Sequence, residues 1–191
     1  MSAGGVNNQA ALLGKLENVV HERRHSKVLE SPLAVPRRGV MLHYDDSSRD
    51  DWAVEWFFDK RCKNGYTWLV LDDGRVIELA DPTKRTPHAG ACRTPNANSA
   101  FYGIAAATNG LVPATAAQLD SIVALCAALQ LPTIVGHDSE AIWAPANTRR
   151  AELWGRGGRK VDPTGVREDG VPIIDIGVIR ARVAATSRSV G

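Results

Sequence analysis

Long apolar runs are missing from this chain. No stretch approaches the roughly 18 consecutive residues that a membrane-crossing helix needs, so membrane insertion is not expected. The opening MSAGGVNNQA has neither the basic start nor the apolar middle of a secretory signal. The expectation is a protein made in the cytoplasm, released by other means if it acts outside. Cysteine is scarce too: Cys62, Cys92 and Cys126 form no closely spaced metal-binding pair, and an odd number argues against a full disulfide framework. A reducing compartment fits that usage. Charge of one sign is also lacking, since a net +2 is too weak to argue for nucleic acid and favours an anionic surface only mildly. The basic stretches HERRH (21–25) and GRGGRK (155–160) read as solvated face or loop. Internal repeats and low-complexity tracts are absent.

What the chain does contain is ordinary for a globular protein: 191 residues, 44% hydrophobic and 23% charged, enough for one domain with a real core. Residues 8–25 place Leu12, Leu13, Leu16, Val19 and Val20 on one helical face, and the prolines of SPLAVPRRG (31–39) then read as a linker. This divides the chain into an N-terminal helical extension and linker (1–36), a main domain (37–186) and a flexible tail (187–191). GVMLHY (39–44) reads as a buried strand, and DSSRDDWAVEWFFDKR (46–61) as a helix capped near Ser47 or Ser48. Trp52, Trp56, Phe57 and Trp68 are expected in the core. GYTWLVLDDGRVIELAD (65–81) is a hairpin, because Asp73-Gly74 supplies the positive φ of a tight turn between two β-rich runs. FYGIAAATNG (101–110) and TIVGHD (133–138) read as strands. Thr115 and Gln118 form a capping box opening a helix whose apolar face includes Cys126, and residues 173–185 make a final helix. Strands and helices intermix, so the fold class is α/β: a single domain with a mixed central β-sheet flanked by helices.

The chain has five histidines. His21 and His25 lie on the basic side of the first expected helix, where a solvated role is the simpler reading. His43 and His137 each end an apolar strand, and His88 sits in the Gly-rich loop TPHAGACRTPNANS (86–99). Imidazole is a favoured zinc donor, and a carboxylate can complete a three-ligand catalytic set with one open position. Sequence spacing alone does not bring these residues together.

The ordered motifs GVMLHYDDSS, GYTWLVLDDGRVIEL, HAG, YGIAAATNG, IVGHDSE and GRKVDPTG, from about residue 37 to 165, resemble the zinc-dependent N-acetylmuramoyl-L-alanine amidases. Those enzymes share a fold with peptidoglycan recognition proteins and many phage endolysins. The resemblance implies one zinc per chain on His43, His137 and Asp162, with Lys160 and Tyr66 as catalytic residues. It also implies a substrate groove involving His88 and either Asn96 or Asn98. Without the resemblance, Tyr66 would read as an apolar strand residue. Trp143 and Trp154 are candidates either for lining that groove or for packing. The implied reaction is hydrolysis, by a zinc-activated water, of the amide between N-acetylmuramic acid and L-alanine in bacterial peptidoglycan. Recycling relatives carry glutamates where this chain has Ala105 and Ala107, so the resemblance is closer to the phage branch and leaves the general base unassigned. The expected protein is a monomeric phage-type lytic enzyme without nucleic-acid partners. It reaches the wall after membrane disruption or travels in a virion. A non-catalytic peptidoglycan-binding module and a cytoplasmic muropeptide-recycling amidase are the alternatives.

Overall fold

The computed structural model describes residues 14–26, 30–47, 50–140, 162–164 and 169–188. Its centre is a six-stranded sheet of β1 (Glu22–Arg23), β2 (Gly39–Tyr44), β3 (Trp68–Val70), β4 (Val76–Glu78), β5 (Phe101–Ala106) and β6 (Thr133–Gly136), in the order β1-β4-β3-β5-β2-β6. The β3–β4 hairpin is antiparallel and the other pairings are parallel, giving the expected mixed sheet. The helices are α1 (Asp50–Trp56), α2 (Ala97–Ala100), α3 (Ala116–Leu129), α4 (His137–Glu140) and α5 (Ile176–Arg188).

Because successive strand side chains alternate, each strand feeds both faces of the sheet. Val40 and Leu42 of β2, Tyr102, Ile104 and Ala106 of β5, Trp68 and Val70 of β3 and Ile134 of β6 point to one face. There they pack against Ile122, Leu125, Cys126 and Leu129 of α3 and Ile179 of α5. The alternate residues form two smaller clusters on the opposite face. One joins Leu69, Ile77 and Ala105 to Ala53 and Val54 of α1 and to Phe57 just after it. The other joins Met41, Phe101 and Val135 to Ala89, Ala97 and Ala100. Residues covered on both faces explain why β2 and β5 read as continuous apolar runs. His43 projects from the second face of β2, paired in register with Ala105 of β5.

Local sequence sets the ends of these elements. Gly74 takes φ 86° in the hairpin turn, and a Cβ there would meet the Ala117 carbonyl oxygen at 2.9 Å, so glycine serves both the turn and its docking on α3. The Thr115–Gln118 capping box forms as expected. The Asp175 side chain accepts from the Val178 N–H, starting α5 later than the apolar pattern suggests, while Ile173 and Ile174 enter the core ahead of it. Among the described residues no helix is long and apolar enough to cross a membrane.

Two expectations are corrected. Residues 8–25 are not one helix: of the described part, 14–16 are helical and Glu22–Arg23 are strand β1, parallel to β4. The open edge of β4 offers unpaired backbone groups, and the chain satisfies them through His21 N–H to Val76 O (3.0 Å), Arg24 N–H to Glu78 O (2.9 Å) and Ser26 N–H to Leu79 O (2.8 Å). Leu16 is fully buried in the main core cluster, so the segment before residue 37 takes part in the fold. The second correction concerns α1. Ala53 and Val54 of the helix and Phe57 just after it form the buried stripe, which turns Trp52 and Trp56 outward, 64% and 46% exposed, whereas Phe57 and Trp68 are buried as expected.

Candidate metal centre

The parallel pairing of β2 with β6 brings the C-terminal ends of two strands side by side, and each delivers a histidine. His43 is the fifth residue of β2, and His137 follows directly on β6 as the first residue of α4. Their rings lie 4.6 Å apart, centroid to centroid. Asp162, distant in sequence, reaches the same point. Its Oδ2 is 2.8 Å from His43 Nδ1 and 3.0 Å from His137 Nδ1, and its backbone carbonyl accepts from the Asp138 N–H at 2.7 Å. All three side chains are buried, and one candidate ligand atom from each falls within 4.8 Å of the others.

The far side of the His137 ring fixes its chemistry. Nε2 lies 2.8 Å from the Ala89 carbonyl oxygen, which can only accept, so Nε2 carries the proton and Nδ1 is a bare lone pair in the neutral ring. Burial alone would raise the Asp162 carboxyl. Its contacts with His137 and His43 outweigh that and hold it well below the usual carboxylate range, so it is ionised. Both Nδ1 atoms face the ionised Asp162 oxygen, at 2.8 and 3.0 Å, so a cation is shared at this point: a proton on an imidazole, or a metal ion that takes its place. Two nitrogens and one carboxylate oxygen, with a backbone carbonyl orienting one imidazole from behind, are a donor set that fits a zinc ion.

Tyr66 and His88 lie beside these three residues. The Tyr66 ring stands 4.9 Å from that of His43 and 5.4 Å from that of Phe57, so α1 buttresses it through Phe57. Burial first, and then the charges of Asp162 and Asp45, push the Tyr66 hydroxyl well above its ordinary value, which keeps it a neutral donor. His88 is only 5% exposed, and its Nδ1 lies 3.1 Å from His43 Nε2. Asn98 Oδ1 accepts from the backbone N–H groups of both His88 (2.9 Å) and Ala89 (2.7 Å), while Asn96 is exposed at the start of α2 with φ 55°. Lys160, Trp143 and Trp154 lie outside the described residues. Sequence reasoning missed the carbonyls of Ala89 and Phe101 that hold the imidazoles, because backbone acceptors leave no trace in residue type. It also missed Gly103, where a Cβ would come 2.7 Å from His88 Cγ. A glycine on a strand that faces a histidine from a distant loop has no local signal.

Residues 33–165 match the family profile described as N-acetylmuramoyl-L-alanine amidase. This chain belongs to that amidase family. Its fold is shared by solved members at low identity. The endolysin amidase LysCS from Clostridium intestinale aligns at 17% identity over 72% of this chain and 98% of its own, with a TM-score of 0.50. A selenomethionine derivative of AmpD aligns at 17% identity over 85% and 95%, with a TM-score of 0.54. PlyL aligns at 12% identity over 73% and 92%, with a TM-score of 0.52. None of the curated proteins matches by sequence. The amidase match spans the strand that carries His43, the hairpin and the site as far as Asp162.

Proposed function

We propose that this amidase is a phage-type peptidoglycan hydrolase that depends on one zinc per chain, held by His43, His137 and Asp162. The observation that carries the reading is the convergence of those three buried groups, from three separated parts of the chain, on one point. The bond cleaved is the amide between N-acetylmuramic acid and the L-alanine of the stem peptide. An amide is a weak electrophile and water a weak nucleophile, and a zinc ion at this site supplies Lewis acidity and water of pKa about 7. The residues of the chain do the rest. As water adds to the carbonyl, negative charge gathers on its oxygen, and Lys160, two residues before the Asp162 ligand, neutralises it as a compact cation. Tyr66, neutral and packed against the His43 ring, donates a hydrogen bond to the reacting oxygen or to the water. Asn96 and Trp143 are proposed as substrate-side residues, whereas the hydrogen bonds of His88 and Asn98 go to His43 and to the loop behind it.

The phage-type assignment rests on Ala105 and Ala107. Ala105 is a register partner of His43, so a glutamate there would face the metal site, and here that position is neutral and fully buried. The enzyme is proposed to act as a monomer on peptidoglycan, reaching its substrate after the membrane is breached or from a virion. Residues 37–186 form the catalytic unit in this reading, with 1–36 as an N-terminal extension; the tail expected from residue 187 is corrected, since α5 continues through Arg188.

The test is mass spectrometry of purified peptidoglycan digested by the zinc-loaded protein beside a chelated control. Stem peptides beginning at L-alanine, released only with metal, are expected. Intact glycopeptides despite bound zinc and retained wall binding would make the chain a non-catalytic module. Release from soluble muropeptides alone would make it a recycling enzyme. Lys160→Ala should keep its zinc and lose about 2.7–4 kcal/mol of transition-state stabilisation, roughly 10²–10³ in kcat. An unchanged kcat removes Lys160 from the mechanism.

A further inference from the structure

We infer that His88 is a positioning residue: it holds His43 in the tautomer whose Nδ1 lone pair is directed at the metal point. The inference rests on the reading of His43, His137 and Asp162 as a metal site, and it assigns His88 to work from behind that site, away from the substrate groove.

The relay begins at the Phe101 carbonyl. That oxygen lies 3.1 Å from His88 Nε2, and a carbonyl only accepts, so His88 Nε2 carries a proton. The nitrogens of His88 meet this carbonyl and an imidazole, neither of which offsets the charge of a cation buried so deeply, so the ring is neutral and its Nδ1 is an acceptor. His43 Nε2, 3.1 Å from that acceptor, must then donate. A neutral His43 with its proton on Nε2 has a bare Nδ1, and this is the atom 2.8 Å from Asp162 Oδ2. The two histidine ligands are therefore set in the same tautomer by different means: His137 by the Ala89 carbonyl directly, and His43 by the Phe101 carbonyl through His88.

Two other residues keep this relay in place. Gly103 on β5 lets the His88 ring lie against the strand, since a Cβ there would come 2.7 Å from its Cγ. Asn98 Oδ1 binds the N–H groups of His88 and Ala89 together, so one amide locks the residues that set both ligand tautomers. The His88 and His43 rings meet edge to face, interplanar angle 88°, which directs the ring edge of one at the other.

The experiment compares zinc affinity, by competition with a chromophoric chelator, for the full-length protein, His88→Phe and His88→Gln. Phenylalanine keeps bulk and removes both nitrogens, whereas glutamine keeps an acceptor and a donor. Zinc binding about 10–100-fold weaker in His88→Phe, with affinity close to wild type in His88→Gln, is the expected result. Equal affinity in wild type and His88→Phe overturns the inference while leaving the metal site standing. Failure of the wild type to bind zinc removes the metal site and the inference with it. Ring nitrogen NMR of the zinc-loaded wild type decides the matter even if His88→Phe does not fold. His88 Nδ1 should resonate as an unprotonated acceptor and His88 Nε2 as N–H, and a proton on His88 Nδ1 overturns the relay.

Discussion

Asn98 illustrates how a residue can look like a groove contact in sequence and serve another purpose in the fold. Its Oδ1 gathers two backbone donors from the loop that carries His88 and Ala89, and the Ala89 carbonyl in turn orients His137. Removing it leaves two partly buried N–H groups without that acceptor, at a cost of about 1–3 kcal/mol. Asn98→Ala is thus expected to lower the urea midpoint and to weaken zinc binding, whereas Asn98→Asp, which keeps the acceptor oxygen, should retain most of both. A residue that only touched substrate would raise KM and leave the midpoint unmoved, so the pair of measurements separates the two roles. Ala105 makes the converse point. Its identity is plain in the sequence, but that it sits beside His43 follows only from the β2–β5 register.

At the scale of the element, α3 shows burial changing the chemistry of a side chain. The helix is fixed at its start by the Thr115–Gln118 box, and Thr115 Oγ1 also donates to the Asp72 carbonyl of the hairpin at 2.7 Å. Cys126 lies on its inner face, 3% exposed, and burial pushes the thiol from its ordinary 9.0 up to about 12. The sign of the linkage follows. Between pH 8 and pH 10 the unfolded thiol loses its proton while the folded one keeps it, so the unfolded state binds fewer protons and stability falls as pH rises. This group contributes a drop of about 1.4 kcal/mol across that interval. In urea titrations at the two pH values, Cys126→Ala should be less stable than wild type at pH 8 but lose about 1.4 kcal/mol less on going to pH 10. Parallel losses would show that the thiol is not shifted. Helix α1 carries a second lesson. Its pattern announced a helix correctly, yet which aromatic faces inward depends on where the sheet lies, so Phe57 is buried and Trp52 is not.

For the whole molecule, the N-terminal segment matters more than its sequence suggests. β1 closes the open edge of β4, and the segment brings the Arg23 guanidinium and the His25 imidazole to Glu78, a carboxylate only 3% exposed. Arg23 Nε lies 3.4 Å and His25 Nε2 2.8 Å from Glu78 Oε1, while Trp68 Nε1 donates to Oε2 at 3.2 Å. A chain lacking residues 1–26 loses the first two partners, the edge hydrogen bonds and the buried Leu16. Such a truncation is expected to lose about 3 kcal/mol of stability and to self-associate through the bared β4 edge. Thermal melts and light scattering would check this, and an unchanged, monodisperse truncated protein would show that the edge does not need β1. The opposite edge is covered differently: Arg180 of α5 donates through Nε to the Ile134 carbonyl of β6 at 2.8 Å, so the final helix ties down the strand that leads to His137.

The residue pattern alone settled what depends on neighbours in sequence. The short apolar runs of β2, β5 and β6, the Asp73-Gly74 turn, the Thr115 cap and the apolar stripe of α3 each owe their form to forces acting within a few residues, and all are found where the sequence placed them. The ordered motifs also identified the family, and with it His43, His137 and Asp162. The tertiary structure decided everything that depends on partners far along the chain. Residues 22–23 became strand because β4 needed an edge partner, and a free edge exists only once the sheet is assembled. The two strand-end histidines became neighbours because β2 and β6 pair in parallel. His88 came to lie behind His43 because Gly103 left room for its ring, and no local pattern encodes a vacancy made by one strand and filled by a distant loop.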